Sequence, residues 1–320
     1  MLGNVVGWFG SRIRRKAAAS SVETQAIRTT SKALARMPAT LLHTLLDLTC
    51  TIKVVDIGAN PIDGEPPYSR MMANGCTHVV GFEPNLKALA VLRQRAGPNE
   101  IYLPNALGDG RRHILHYCAA PGMTSLLEPN PSVLALFPGF PEWGRVVRTE
   151  EIDTLRLDDV GETESLDLLK LDIQGSELMV LQGAVGRLAN ALIVQTEVEF
   201  LQMYLGQPLF ADVDSFLREH GFVLHKFAPL VSRVLTPMLV DNNLYAGLSQ
   251  LAWGDAIYVK DITRLDRYGP DQLLRSATIL HDCYRSYDLV LKLLQEYDRR
   301  TGNTLAKRYI QHLGGNRSRP

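Results

Sequence analysis

Hydrophobic positions along this chain follow two alternating rhythms. Short, nearly continuous apolar runs at Ile52–Ile57, Thr77–Phe82, Ile101–Leu103, Leu166–Leu171 and Ala191–Thr196 predict buried strands. Between them the spacing becomes helical over Pro67–Asn74, Asn85–Ala96, Ser176–Gln182 and Phe210–His220. Gly75, Gly97-Pro98, Gly183 and Gly221 stand where those helices should stop. Strand–helix alternation with strands apolar on both faces predicts an α/β fold, a doubly wound parallel sheet covered by helices on both sides. Phe222–Phe227 and Ala256–Val259 read as an antiparallel pair, and His113–Cys118 and Val146–Ile152 as further strands.

The ends differ from this block. Leu34, Met37, Leu41, Leu45 and Leu48 recur at helical spacing within Thr24–Leu48, with Pro38 as an interruption. Asp271–Arg300 reads as one long helix and Gly314–Pro320 as a disordered tail. The expected organisation is an N-terminal tail and helical lead-in over 1–50, a main domain over 51–262, and a C-terminal helical extension over 263–320. Within the main domain, Ala119–Arg145 breaks the rhythm with Pro121, Pro129, Pro131, Pro138 and Pro141 among Leu126, Leu127, Leu134, Phe137, Phe140 and Trp143. An insert of that length is expected to be a lid or substrate wall. Its alternative is a flap packed on the N-terminal helical segment.

Composition narrows the class. Lys+Arg and Asp+Glu both number 34, so net charge makes no case for nucleic acid as a partner. Four scattered cysteines without a CxxC pair suggest neither a zinc ribbon nor a dithiol site, and they fit a reducing, cytoplasmic setting. No apolar run approaches the roughly 20 residues that span a bilayer. Met1–Lys16 mixes Val5, Val6, Trp8, Phe9 and Ile13 with Arg12, Arg14, Arg15 and Lys16. It reads as a basic tail, with weak peripheral membrane contact as its alternative.

Candidate chemistry lies where strands end. Asp56 closes the first strand and opens the turn Gly58-Ala59-Asn60, and Glu83 closes the second. Two acids and a bare backbone at one sheet edge are the setting in which open α/β sheets bind nucleosides. A dinucleotide fingerprint would need glycine at position 60, and no GK[ST] follows, so a phosphate cradle is poorly matched. A phosphate-free cofactor held by its amino-acid and ribose parts fits better. Glu83 suits a ribose diol; its alternative is to cap the next helix. Asn105 and Ala106, after the third strand, should border the cofactor's base. Asp172 ends the fourth strand inside Leu169-Lys170-Leu171-Asp172-Ile173-Gln174-Gly175-Ser176-Glu177, which sets its carboxylate over the same cleft, with Gln174 and Glu177 close enough to share it. Glu197 follows the fifth strand as a second candidate base. No histidine accompanies it at ligand spacing, so no metal is expected.

Taken together, Val55-Asp56-Ile57-Gly58-Ala59-Asn60, Gly81-Phe82-Glu83-Pro84-Asn85, Thr154-Leu155-Arg156-Leu157-Asp158, the Leu169–Glu177 segment and Leu181-Gln182-Gly183-Ala184 resemble the FkbM-type methyltransferases. The resemblance covers roughly Ile52–Lys260. It implies a class I methyltransferase Rossmann-like fold with a seven-stranded sheet, S-adenosylmethionine as cofactor, and methylation of hydroxyl oxygens, often on sugars, glycans or natural products. It also implies that the Asp56–Asn60 turn holds the cofactor's methionine part, Glu83 the ribose, and Asn105 and Ala106 the adenine, with Asp172 near the methyl group. Two departures stand out. Pro61-Ile62-Asp63-Gly64 replaces the commoner Val-Gly after the first turn, and Gln174 stands where many relatives carry Glu. For an O-methyl transfer, Asp172 is the expected base or orienting group, with Glu197 and Glu177 behind it. A nicotinamide-dependent oxidoreductase and a non-catalytic protein retaining the fold are the competing readings.

Overall fold

Strand pairing follows the apolar runs. The computed structural model describes residues 40–60 and 64–313. In it β1 (Ile52–Ile57) and β2 (Thr77–Phe82) pair in parallel from Ile52↔Thr77 to Ile57↔Phe82. β3 (Glu100–Leu103) extends the sheet beyond β2. On the other side β1 pairs with β7 (Leu168–Leu171), which pairs with β8 (Ile193–Glu199), all parallel. β9 (Phe222–Arg233) and β10 (Gln250–Lys260) complete seven strands in the order β3-β2-β1-β7-β8-β10-β9, with β10 antiparallel to both of its neighbours. This is the seven-stranded α/β sheet expected of a class I methyltransferase.

One face of the sheet carries Val55, Ile57, Val80, Phe82, Leu169, Leu171 and Val194 into a shared core. It packs there against the helices Glu177–Gln182, Val185–Asn190 and Phe210–Glu219 through Val180, Leu181, Leu188, Val213 and Leu217. The alternation that buries Val55 and Ile57 on this side sends Asp56 to the other. There the C-terminal helices meet the sheet. The Tyr284 hydroxyl donates to Gln195 Oε1 (2.9 Å), and Arg275 pairs with Asp167 at 3.0 Å.

Several boundaries differ from expectation for identifiable reasons. Asn85 is a true N-cap: its side chain accepts from the amides of Lys87 and Ala88 and starts the helix Leu86–Arg95. The long C-terminal helix is in fact two, Pro270–Asp282 and Tyr287–Thr301, followed by Leu305–Leu313. The break comes at Tyr284–Ser286. Arg285 takes a left-handed φ of 51°, and Tyr284 is turned into the interior to reach Gln195. The N-terminal helix is described only over Leu42–Leu46. The remainder of the lead-in, the Met1–Lys16 segment and the Gly314–Pro320 tail lie outside the described residues.

A second, three-stranded sheet was not foreseen as a unit. β4 (Ala106–Leu107) pairs in parallel with β6 (Val146–Leu155), and β5 (Arg112–Cys118) pairs antiparallel with β6. The Pro-rich insert hangs between β5 and β6. Ala119 and Ala120 donate to the carbonyls of Arg145 and Trp143 (2.9 Å each) and close its neck. Its short helices Pro131–Leu134 and Phe140–Trp143 build a separate apolar cluster of Leu134, Phe137 and Phe140 with Met203, Tyr204 and Ala252. The insert therefore packs on the segment after β8 and on β10, and its prolines limit it to one path.

The described residues up to His312 cluster as one compact unit that includes the C-terminal helices. Leu294 is fully buried among them. Leu294→Ala is expected to cost about 2–5 kcal/mol and to lower the midpoint of a single urea transition of the whole chain. Two separate transitions would show that these helices fold apart from the sheet.

Candidate active site

The C-terminal ends of β1, β2 and β7 open into a cavity of about 480 Å³. Gly58 and Asn60 line it from the first turn, Glu83, Pro84 and Asn85 from the second, Asn105 and Ala106 from the third, and Asp172, Ile173 and Gln174 from the loop after β7. Its far wall is Leu115, Tyr117 and Cys118 of β5, Val147 and Arg148 of β6, and residues 121, 122 and 124–126 of the insert. The front of the insert is thus a cavity wall, while Leu134, Phe137 and Phe140 behind it are buried in the apolar cluster.

Gly58 is required where it stands. Its φ is +81°, and a Cβ there would fall 2.0 Å from the Asp172 carbonyl oxygen. The first turn and the Asp172 loop touch backbone to backbone, as the Asp172 amide bond to Ile57 O (3.0 Å) also shows. The amides of Gly58 and Ala59 both donate to Phe82 O at 3.1 Å. Ala59 does not line the cavity.

The structure corrects the expectation for Asp56. Its carboxylate is 2% exposed and is not part of the cavity lining. It accepts from the Tyr68 hydroxyl (2.5 Å) and from Lys170 Nζ (3.2 Å). Asp56 and Lys170 are register partners across β1 and β7, so both side chains leave the same face of the sheet. Burial pushes the Asp56 pKa up, and Lys170 and Tyr68 pull it back. Glu177 is likewise withdrawn from the cavity. Its two oxygens accept from the amides of Ile173 (2.8 Å) and Gly175 (2.9 Å), which clamps the turn that carries Gln174. Asp56 is held by two side chains from other elements, and Glu177, in the first turn of its helix, binds two amides of the loop just before it.

Glu83 combines both of its expected placements. Its Oε1 accepts from the Asn85 amide (2.7 Å), yet the residue lines the cavity. Burial raises its pKa. Asp172 and Glu197 are brought together by an intermediary, since Gln174 Nε2 donates to Asp172 Oδ1 (3.0 Å) and to Glu197 Oε2 (2.8 Å). Glu197 is not among the residues that line the cavity. Burial, followed by the charges of Asp172, Glu199 and Glu177, drives its pKa far above the usual carboxylate range. Among the described residues, no group of three His, Cys, Asp or Glu side chains is arranged to hold a metal.

Sequence reasoning missed Lys170, Tyr68, Tyr117 and Arg148. Lys170 did leave a signal, a lone charge inside an apolar strand, which points to a buried partner. Tyr68 left none. Arg148 stacks 3.7 Å above the Tyr117 ring and bonds Glu150 at 2.7 Å; only the β5–β6 pairing places those residues at the cavity.

Comparison with known proteins identifies a family. The model of the methyltransferase FkbM domain matches residues 56–224, more than half of the chain. The chain belongs to the FkbM methyltransferase family. Among solved structures it is similar to a magnesium protoporphyrin IX methyltransferase from Synechocystis with bound SAM (11% identity, 69% of this chain and 76% of that chain, TM-score 0.36). It is also similar to a precorrin-6y C5,15-methyltransferase from Geobacter metallireducens (13% identity, 76% and 94%, TM-score 0.32). No curated protein matches the sequence. Within this FkbM domain, β1 through the first residues of β9 carry every cavity residue named above, and the C-terminal helices lie beyond the matched span.

The buried acids set a pH dependence. A carboxyl whose folded pKa lies above its unfolded value binds protons more tightly when native, so stability falls as pH rises between the two values. For Glu177 that window runs from the ordinary 4.5 to about 7, and Glu197 extends it upward. The melting temperature of the ligand-free protein should fall from about pH 5 through about pH 7, and Glu197→Gln should make that fall shallower in calorimetry. An identical slope in the variant would contradict this account of Glu197.

Proposed function

We propose that this protein transfers a methyl group from S-adenosylmethionine to a hydroxyl oxygen of a sugar, glycan or natural product. The observation that carries the cofactor assignment is the charge of the cavity. Among the described residues its lining acids are Glu83 and Asp172, and the lining cation, Arg148, is already bonded to Glu150. Such a cavity is complementary to a cationic sulfonium and offers no free partner to the pyrophosphate of a nicotinamide cofactor. The family supports the same reading.

When bound, S-adenosylmethionine supplies an electrophilic methyl group. In this proposal Gly58 and Asn60 lie along the methionine part and Glu83 accepts from the ribose hydroxyls with the oxygen not engaged by Asn85. Asn105 and Ala106 border the adenine. Asp172 orients the acceptor hydroxyl and takes its proton. The front of the insert, with Tyr117 and Val147, excludes water from the acceptor side. Orientation of this kind contributes roughly 7–11 kcal/mol to barrier lowering, and a positioned base about 10²–10⁴ in rate.

Thermal-shift and calorimetric titration with S-adenosylmethionine, its demethylated product and NAD test the cofactor. Binding of the first two, and not of NAD, is expected; a shift with NAD alone would favour the oxidoreductase, and none at all the non-catalytic reading. Glu83→Ala should weaken S-adenosylmethionine binding about tenfold to a hundredfold, the loss of one or two hydrogen bonds to a charged group. Incubation with labelled cofactor and candidate glycans or metabolites, read by mass spectrometry, tests the acceptor. On an acceptor so found, Asp172→Asn should lower kcat by about 10²–10⁴ with cofactor affinity nearly unchanged, and full turnover would remove Asp172 as base.

A further inference from the structure

We propose that Gln174 is a positioning residue that sets the acid pair and the cavity wall together: its carboxamide holds Asp172 and Glu197, and the insert holds Gln174. The catalytic meaning of this rests on the reading of Asp172 given above; the coupling itself rests on geometry alone.

The carboxamide is the one group that meets both acids. Its Nε2 donates one hydrogen to Asp172 Oδ1 (3.0 Å) and the other to Glu197 Oε2 (2.8 Å). A carboxamide nitrogen has two hydrogens for this purpose. Glutamate in its place would add a third negative charge at the same point, and alanine would leave two acids facing each other without a donor. This gives the departure from the commoner Glu a physical role.

Gln174 is held from its own side by three contacts. Its φ is 60°, a conformation disfavoured for a side-chain-bearing residue. The turn persists because Glu177 binds the amides of Ile173 and Gly175. From the insert, Ser125 Oγ donates to the Gln174 carbonyl (2.6 Å) and accepts from the Leu127 amide (3.0 Å). The Tyr204 hydroxyl lies 3.1 Å from Met123 O, also in the insert, and 3.4 Å from Gln174 Oε1. Tyr204 belongs to the apolar cluster under the insert. A continuous set of bonds therefore runs from the insert through Gln174 to both carboxylates.

The ionisable groups surrounding this pair are Glu177, Glu199, Asp255 and Tyr204 near Glu197, and Lys170 near Asp172, with Asp56 beyond it. Carboxylates outnumber the single ammonium. Burial and this crowding raise Glu197, and a neutral donor such as Gln174 bonds both acids without adding to the repulsion.

The test is carboxyl ¹³C NMR titration of the full chain, with calorimetric binding of the demethylated cofactor measured alongside. Gln174→Glu should raise the upper titration step of the pair by about one pH unit or more, as strongly interacting carboxyls do. Ser125→Ala touches neither acid. It should nonetheless shift the Glu197 carboxyl titration and speed thermolysin cleavage within 119–145 several-fold. An upper step unmoved in Gln174→Glu, or a Glu197 titration in Ser125→Ala that overlays the wild type, would overturn the proposal. Failure of the wild type to bind the demethylated cofactor would remove the methyltransferase reading instead, leaving the titrations to decide the coupling.

Discussion

The buried pair of Asp56 with Lys170 is the interaction on which the site's edge depends. It joins the last turn of β1 to the last turn of β7, at the point where both strands release the loops that line the cavity. Neither charge is free to hydrate: the side chains are 2% and 13% exposed. Removing one partner from such a pair costs about 3–5 kcal/mol, because the other is left charged and buried. Burial by itself would lower the Lys170 pKa; Asp56 and Asp172 outweigh it and hold the ammonium above its ordinary value. One cation thus steadies a carboxylate of the fold and faces a carboxylate of the cavity. Tyr68 fixes the second oxygen of Asp56 and ties the helix that follows β1 to the same point.

From that anchor the cavity is built by close backbone approach on one side and by an added sheet on the other. Gly58 lets the first loop lie against Asp172, so the methionine end of the proposed cofactor site and the proposed base share a backbone contact. Opposite, β5 and β6 carry a wall that the seven-stranded sheet does not supply, and the insert continues it. The apolar cluster of Phe137, Phe140 and Tyr204 holds the insert by burial, together with the backbone bonds at its neck and to Met203. This explains how so Pro-rich a segment forms a defined surface.

Much of this was legible along the chain. Buried parallel strands show as unbroken apolar runs because both faces are covered, and their order of appearance implies the sheet. The acids at strand ends marked the cavity edge, and Glu83 and Asp172 do line it. The helix after β2 starts at Asn85, a residue type whose side chain caps helices. What misled was the assumption that every acid at a strand end faces the ligand. Asp56 and Glu177 point to partners that lie far away in the chain or in the backbone, and side-chain direction there is set by strand parity and by the amides of the loop before the helix. The break at Tyr284–Ser286 was hidden for a similar reason: the helical spacing continues through it, and only the reach of Tyr284 to Gln195 interrupts the helix.

The sequence by itself determined the α/β class, the family and the edge of the sheet where the chemistry is expected, because these follow from local periodicity and from short contiguous motifs. Tertiary structure alone decided which acids remain available there. Lys170 and Tyr68 withdraw Asp56, two backbone amides withdraw Glu177, and Gln174 joins Asp172 to Glu197 across strands separated by a helix pair. Availability of a carboxylate depends on burial and on what lies within hydrogen-bond distance of it, and such neighbours are set by packing rather than by position in the chain.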